Sequence, residues 1–231
     1  MKKFLLILFL GLFSINAFSQ EDKTQALARQ YFQNGDYQKA AQMFETLFKD
    51  NPGNYYFYNS LFTSYIRLNE YKEAEKLVKK EIRRNKDDIR YLVDLGFIYS
   101  QDNQSKKAES QFQEAIDQLR ADENQVRTLA NKFMSFRQDD FVIATYQRGN
   151  ELLNNETHFA FELGNAHLRA NNPERAIENW LLVIDKKPFM LQSIQTMISN
   201  SLEKKGWQML LKHSCMAIFR KSQIEMSFPK C

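Results

Sequence analysis

The sequence predicts an all-α protein built as a continuous array of about six stacked helix-turn-helix units, and three observations predict it. A 34-residue pattern recurs without a break in register: position 20 of successive units reads Ala40, Ala74, Ala108, Val142 and Ala176, and four residues on stand Phe44, Val78, Phe112, Tyr146 and Trp180. In the first half of each unit, position 7 reads Leu27, Leu61, Leu95, Leu129, Leu163 and Met197, and position 8 reads Ala28, Phe62, Gly96, Ala130 and Gly164. Helix-breaking residues fall between the two halves and between units, as in Asn34-Gly35-Asp36 and Asn51-Pro52-Gly53-Asn54. A small residue four places before a large one lies on the same helical face, so each unit offers a notch and a knob for its neighbours.

Leu95-Gly96-Phe97-Ile98-Tyr99, Ala108 with Phe112, Ala40 with Phe44 and Pro52, and Ala176 with Trp180 and Pro188 together resemble the tetratricopeptide repeat family. The resemblance runs from residue 21 to about residue 221, as repeats 21–54, 55–88, 89–122, 123–156, 157–190 and a degenerate sixth at 191–221. It implies a right-handed α-solenoid, or superhelix, occupying residues 20–221. It also implies protein partners, because repeats of this kind serve many unrelated ones.

The elements follow in order. Lys2 and Lys3, the apolar run Phe4 to Phe13 and the small residues around Ala17-Phe18-Ser19 have the layout of a secretory signal peptide over 1–19, cut near Ser19-Gln20. The apolar run is shorter than the roughly 20 residues a spanning helix needs, so export to the periplasm or the exterior is expected, with no stable membrane insertion after cleavage. No cysteine near the cut supports a lipid anchor.

Repeat 1 is expected to run as a helix over about 22–33, a turn at Asn34-Gly35-Asp36, and a helix from Tyr37 that ends before Pro52, which biases Asn51 out of the helical region. Repeat 2 places helices at 55–68 and 71–84 around Asn69-Glu70. Repeat 3 places them at 89–100 and 105–119, with Ser105 as N-cap. Repeat 4 departs most from the pattern, with Val142 for Ala at position 20 and Gly149 inside its second helix, and Asp139-Asp140 fall in its turn, where they are expected to cap the helix start. A mid-helix Gly costs about 1 kcal/mol against Ala, and Gly149 is therefore read as a site of close helix approach. In repeat 5, Pro173 opens the second helix, where a missing amide hydrogen does no harm. Repeat 6 keeps the spacing through Ile194, Met197, Trp207 and Ala217, with its turn at Gly206, and a tail follows over 222–231.

Composition excludes several classes of function. Formal charge falls from +4 to +2 when the leader with Lys2 and Lys3 is removed, so a pI near 8.9 does not signal nucleic-acid binding. The most basic run, Lys76 to Arg84, is interleaved with acids and reads as a solvated helix face. Cys215 and Cys231 are too few for a disulfide framework. The three histidines, His158, His167 and His213, lack metal-ligand spacing, and the seven glycines form no phosphate loop. No cofactor, no metal and no catalytic set is expected, and the protein is not expected to be an enzyme. His167, at a position usually held by Tyr, reads as a packed neutral imidazole. Asn103-Gln104-Ser105 and Asn155-Glu156-Thr157 are glycosylation sequons in expected turns.

In proteins of the family this chain resembles, ligands lie along the first helix of each repeat. That places Arg29, Phe32, Tyr56, Asn59, Arg67, Arg90, Phe97, Arg127, Asn131, Phe161, Asn165 and Arg169 on an expected concave binding face, with His158 beside them. Arg forks to carboxylates, Asn amides pair with extended backbone, and the aromatic residues offer pockets. The expected ligand is a protein or peptide segment with acidic and apolar residues. One subset of the family clamps a C-terminal carboxylate; Arg127 and Asn131 match its first pair, but Glu162 holds the next required Asn position and Gln192 and Thr196 replace its basic pair. That clamp is not carried over. The expected function is a non-catalytic scaffold or adaptor of the bacterial cell envelope. The alternatives are the front portion of a longer envelope protein, or a module that self-associates through its apolar C-terminal end.

Overall fold

A computed structural model describes residues 23–205, and among these every regular element is helical. The helices are α1 (23–33), α2 (Tyr37–Asp50), α3 (Tyr55–Arg67), α4 (Tyr71–Arg84), α5 (Arg90–Gln101), α6 (Ser105–Asp117), α7 (Glu123–Ser135), α8 (Asp139–Leu152), α9 (Ala160–Arg169), α10 (Pro173–Lys186) and α11 (Leu191–Lys205), with a 3₁₀ turn at Pro188–Met190. Among the described residues the fold class is all-α, as expected, with ten helices in five consecutive pairs and an eleventh after them. The signal peptide at 1–19, Gly206, the second helix of repeat 6, Cys215, Cys231 and the tail lie outside the described residues. The chain divides into two compact units, Met1–Gln111 and Phe112–Cys231.

Local chemistry sets the helix ends. Asn54 Oδ1 accepts from the Tyr56 and Phe57 amides at 3.0 and 3.3 Å, and Asp122 Oδ1 accepts from the Asn124 and Gln125 amides at 2.8 and 3.1 Å. Asn172 Oδ1 accepts from the Arg175 amide at 3.2 Å, with Pro173 as the first helical residue. These side chains occupy amide donors that a helix start leaves without a partner. Two expectations are corrected here. Ser105 is the first helical residue and not the cap; Gln104 precedes it, and its carbonyl accepts from the Ala108 amide at 3.0 Å. Asp139 and Asp140 lie in the first turn of α8, where their charge favours the positive end of the helix dipole.

The turn inside each pair has a fixed geometry. Position 15 of five successive units is left-handed: Gly35 at φ 78°, Asn69 at 59°, Asn103 at 58°, Arg137 at 57° and Asn171 at 61°. Gly and Asn tolerate this region. Arg137 does not share that ease.

In the Met1–Gln111 unit, Ala40, Phe44, Ala74 and Val78 are wholly buried, and Phe44, Phe57 and Tyr58 form the aromatic centre. The Tyr58 hydroxyl donates to Asp94 Oδ2 at 2.9 Å, and both groups are buried. Burial is the main reason the Tyr58 phenol is pushed well above its ordinary pKa, with Asp94 adding to it. Leu27 is the exception to the landmark pattern, at 40% exposure. Its counterpart Leu61 sits in a crevice lined by α2 and α4 residues, whereas no helix among the described residues precedes α1 to cover Leu27 in the same way.

In the Phe112–Cys231 unit, the Phe133 and Phe141 rings stack at 5.5 Å, and Phe112 meets them edge-on at 5.4 and 4.8 Å. Trp180 is buried among Ala160, Ala176, Ile177, Val183 and Ile194. Its indole lies on Gly164, where an added Cβ would strike the ring. Gly149 is a close-approach position as expected: a Cβ there would fall 2.7 Å from both Phe159 Cε2 and Val126 Cγ1.

Candidate functional site

The first helices of the repeats carry the residues expected to face a ligand, and the structure separates them into those committed within the chain and those left exposed. In the Met1–Gln111 unit, Arg29 is exposed and lies over the Tyr56 ring at 5.6 Å. Tyr56, 40% exposed, meets Phe44 edge-on at 5.8 Å. Phe32 packs edge-on against Tyr37 at 5.5 Å and Phe44 at 6.2 Å, so its ring is largely part of the core. Asn59 and Arg67 are exposed on α3. No ion pair or hydrogen bond of the Arg67 guanidinium is found among the described residues. Phe97 is half-buried.

Arg90 behaves differently. Its Nε and Nη2 donate to the two oxygens of Asp88 at 2.8 and 2.6 Å, and its guanidinium lies over the Tyr55 ring at 4.7 Å. The hydrogen bond to Asp88 is the chief reason the Arg90 pKa is raised. A bidentate pair of this kind is geometrically specific, and it fixes Arg90 at the start of α5.

In the Phe112–Cys231 unit, Arg127 is the centre of a network. Its Nε and Nη2 donate to Glu123 Oε1 at 3.0 and 2.9 Å, its Nη1 donates to Glu162, and it lies over the Phe159 ring at 5.1 Å. Burial works against its charge, but Glu162 and Glu123 outweigh burial and the pKa is raised. Arg127, and then His158, hold the Glu123 carboxyl below its ordinary range; His158 Nε2 is 3.0 Å from Glu123 Oε2. Arg169 Nε donates to Asp139 Oδ1 at 2.9 Å. Asn131 is exposed, Asn165 is half-buried, and Phe161 packs against the cluster around Trp180.

Of the five arginines on the expected face, Arg90, Arg127 and Arg169 already bind carboxylates of this chain. An incoming acid would have to exchange with Asp88, Glu162 or Asp139 at these places. Arg29, Tyr56, Asn59 and Arg67 remain as donors and aromatic surface without that competition. Glu162, which breaks the carboxylate-clamp pattern, is explained by its ion pair with Arg127. Sequence reasoning missed the carboxylates Asp88, Glu123, Asp139 and Glu162 as internal partners. Glu123 was readable as an i, i+4 pair with Arg127.

Among solved structures, the chain is similar to a crystal structure of MamA protein at 15% identity, covering 74% of this chain and 94% of that one with a TM-score of 0.39. It is similar to MamA 41-end from Desulfovibrio magneticus RS-1 at 14% identity, covering 71% and 93% with a TM-score of 0.38. It is also similar to TTC0263, a thermophilic TPR protein in Thermus thermophilus, at 16% identity, covering 79% and 98% with a TM-score of 0.41. No curated protein matches. Residues 31–92, from the end of α1 to the start of α5, match the tetratricopeptide repeat family.

Proposed function

We propose that the protein is a non-catalytic interaction scaffold or adaptor of the bacterial cell envelope, exported by its leader, that holds a partner segment along the first helices of its repeats. The observation that carries the reading is the set Arg29, Tyr56, Asn59 and Arg67, exposed on α1 and α3 in and beside the stretch that matches the repeat family. A guanidinium without an internal carboxylate, an unoccupied amide and a tyrosine ring backed by Phe44 suit a peptide bearing an acidic and an apolar side chain. Among the described residues no helix is long and apolar enough to cross a membrane.

The test is affinity capture from the native envelope with the exported chain as bait, followed by mass spectrometry. Arg67→Glu is expected to lower recovery of the bound partner about tenfold or more, equivalent to about 1.4 kcal/mol, while helical content and melting stay unchanged. Undiminished recovery with Arg67→Glu removes this face from the function. Intact mass of the native product tests the leader: retention of residues 1–19 would remove export by cleavage.

A further inference from the structure

The same crevice occurs in both units of the chain, between the second helices of adjacent repeats, and its two copies are built from equivalent positions. Between α2 and α4 it is floored by Leu61 and Tyr65, with Phe48 and Leu77 on its walls, and holds about 300 Å³. Between α8 and α10 the equivalent residues are Leu163, His167, Asn150 and Asn179, and the space is about 940 Å³. Leucine at position 7 is kept. The tyrosine, phenylalanine and leucine around it are each replaced by a polar residue, and the crevice is larger, near the top rather than the bottom of the size range typical of ligand sites, about 300–1,000 Å³.

The charge changes sign as well. The first crevice is lined by Glu45 and Glu73 against Lys49, Lys76 and Lys80, an excess of one positive charge. The second is lined by Glu151, Glu156 and Glu178 against Arg175, an excess of two negative charges. Arg175 is held to Glu178 at 3.3 Å, and Glu151 is held by Arg148 at 2.9 Å. Glu156 is exposed, and its carboxylate has no ion pair among the described residues.

The walls divide into fixed and available groups. Asn150 is committed: its Nδ2 donates to the Glu156 carbonyl at 2.8 Å and its Oδ1 accepts from the Phe159 amide at 3.0 Å. Asn179 Nδ2 donates to the Arg175 carbonyl at 2.8 Å, and its Oδ1 has no hydrogen-bond partner among the described residues. Gln147 and Asn154 are exposed amides on the opposite wall. Leu163 and the 38% exposed Leu182 provide apolar surface.

We propose that the crevice between α8 and α10 is a second peptide site, separate from the first-helix face, which takes an extended protein segment bearing a basic side chain next to an apolar one. The cation meets Glu156, the apolar side chain lies on Leu163 and Leu182, and the amides of Gln147, Asn154 and Asn179 pair with extended backbone. Charge complementarity sets the sign of the ligand. The first crevice, smaller and of opposite charge, is not a second copy of the site.

The test is fluorescence anisotropy of the full chain with a labelled, end-blocked peptide of alternating Lys and Leu, beside the same peptide with Glu for Lys. The Lys peptide is expected to bind and the Glu peptide not. H167Y combined with N179L, which restores two of the first crevice's three apolar or aromatic residues without altering formal charge, is expected to weaken binding at least tenfold, and E156K combined with E178K likewise. Circular dichroism establishes that each variant is folded. Arg67→Glu is expected to leave Lys-peptide affinity unchanged, so failure of the first-helix reading and failure of this one are distinguishable. Absence of Lys-peptide binding, equal binding of the Glu peptide, or binding untouched by either crevice variant in folded protein would overturn the proposal.

Discussion

Gly149→Ala sets two opposing effects of known size against each other. On an exposed helix the change would add about 1 kcal/mol of stability through helix propensity. Here the new Cβ would lie 2.7 Å from Val126 Cγ1, 3.0 Å from Val126 Cγ2 and 2.7 Å from Phe159 Cε2, where ordinary carbon contacts are about 3.5–4.0 Å. Neither neighbour can readily give way. Val126 is wholly buried in α7 and, being β-branched, has little rotamer freedom. Phe159 is wholly buried, with Tyr146 at 5.1 Å and the Arg127 guanidinium over its face at 5.1 Å. Overpacking of this kind costs about 1–3 kcal/mol, so the net change is a loss of about 1 kcal/mol, or roughly 2–4 °C in Tm for a chain of this size. Urea unfolding followed by circular dichroism measures it. Gly53→Ala is the control, because nothing lies within 4 Å of its added Cβ and its φ is not left-handed; it is expected to be neutral or to stabilise by up to about 1 kcal/mol. A Gly149→Ala protein as stable as the parent would refute the reading of α8 as pressed against its neighbours at this point.

Three further substitutions probe other parts of the chain. Glu81 is 1% exposed in α4, and burial raises its carboxyl pKa against the opposing pull of Arg84, Lys80 and Asn85. A folded pKa above the unfolded value, about 4.3, means that its contribution is fully present below that pH and is lost as pH rises through the folded pKa; Glu81→Gln should therefore raise Tm at pH 7 more than at pH 4, and equal shifts at both would contradict this. Tyr58→Phe deprives the buried Asp94 Oδ2 of its phenol donor and should cost about 1–3 kcal/mol in urea unfolding, with no loss counting against the pair. Arg137→Gly relieves a left-handed residue at φ 57°, a strain of about 1–2 kcal/mol offset by about 0.5–1 kcal/mol of added chain entropy; a small rise in Tm is expected, and a fall would show that the Arg137 side chain has a role the turn geometry does not reveal.

The fold was legible because periodicity and packing express the same constraint. Ala40, Ala74, Ala108, Val142 and Ala176, the recurring residues at position 20, are all buried. The turns were legible through Gly35, Asn69, Asn103 and Asn171, but Arg137 carries no such signature at the same position. Ser105 misled because the choice between cap and first helical residue depends on a single amide bond, and Gln104 supplies the carbonyl that decides it. The expected binding face was only partly legible. Counting residue types along the first helices assigned every arginine to an outside ligand, whereas several internal partners lie across repeats. Arg127 and Glu162 are 35 residues apart, and Tyr58 and Asp94 are 36 apart, close to one full period. A search at one period plus one or two residues would have paired them from sequence alone.

The recurrence of a left-handed residue at position 15 in five units bears on how such a chain can change length. Each hairpin closes at one fixed step, so a single inserted residue within a helix turns every later landmark on that helix by about 100° and takes Ala and its aromatic companion off the packed face. Insertion or loss of a whole 34-residue period leaves every downstream side chain facing its former neighbour type. The protein can therefore grow or shrink in whole modules, while a change of one residue inside a helix takes the rest of that helix off its packed face.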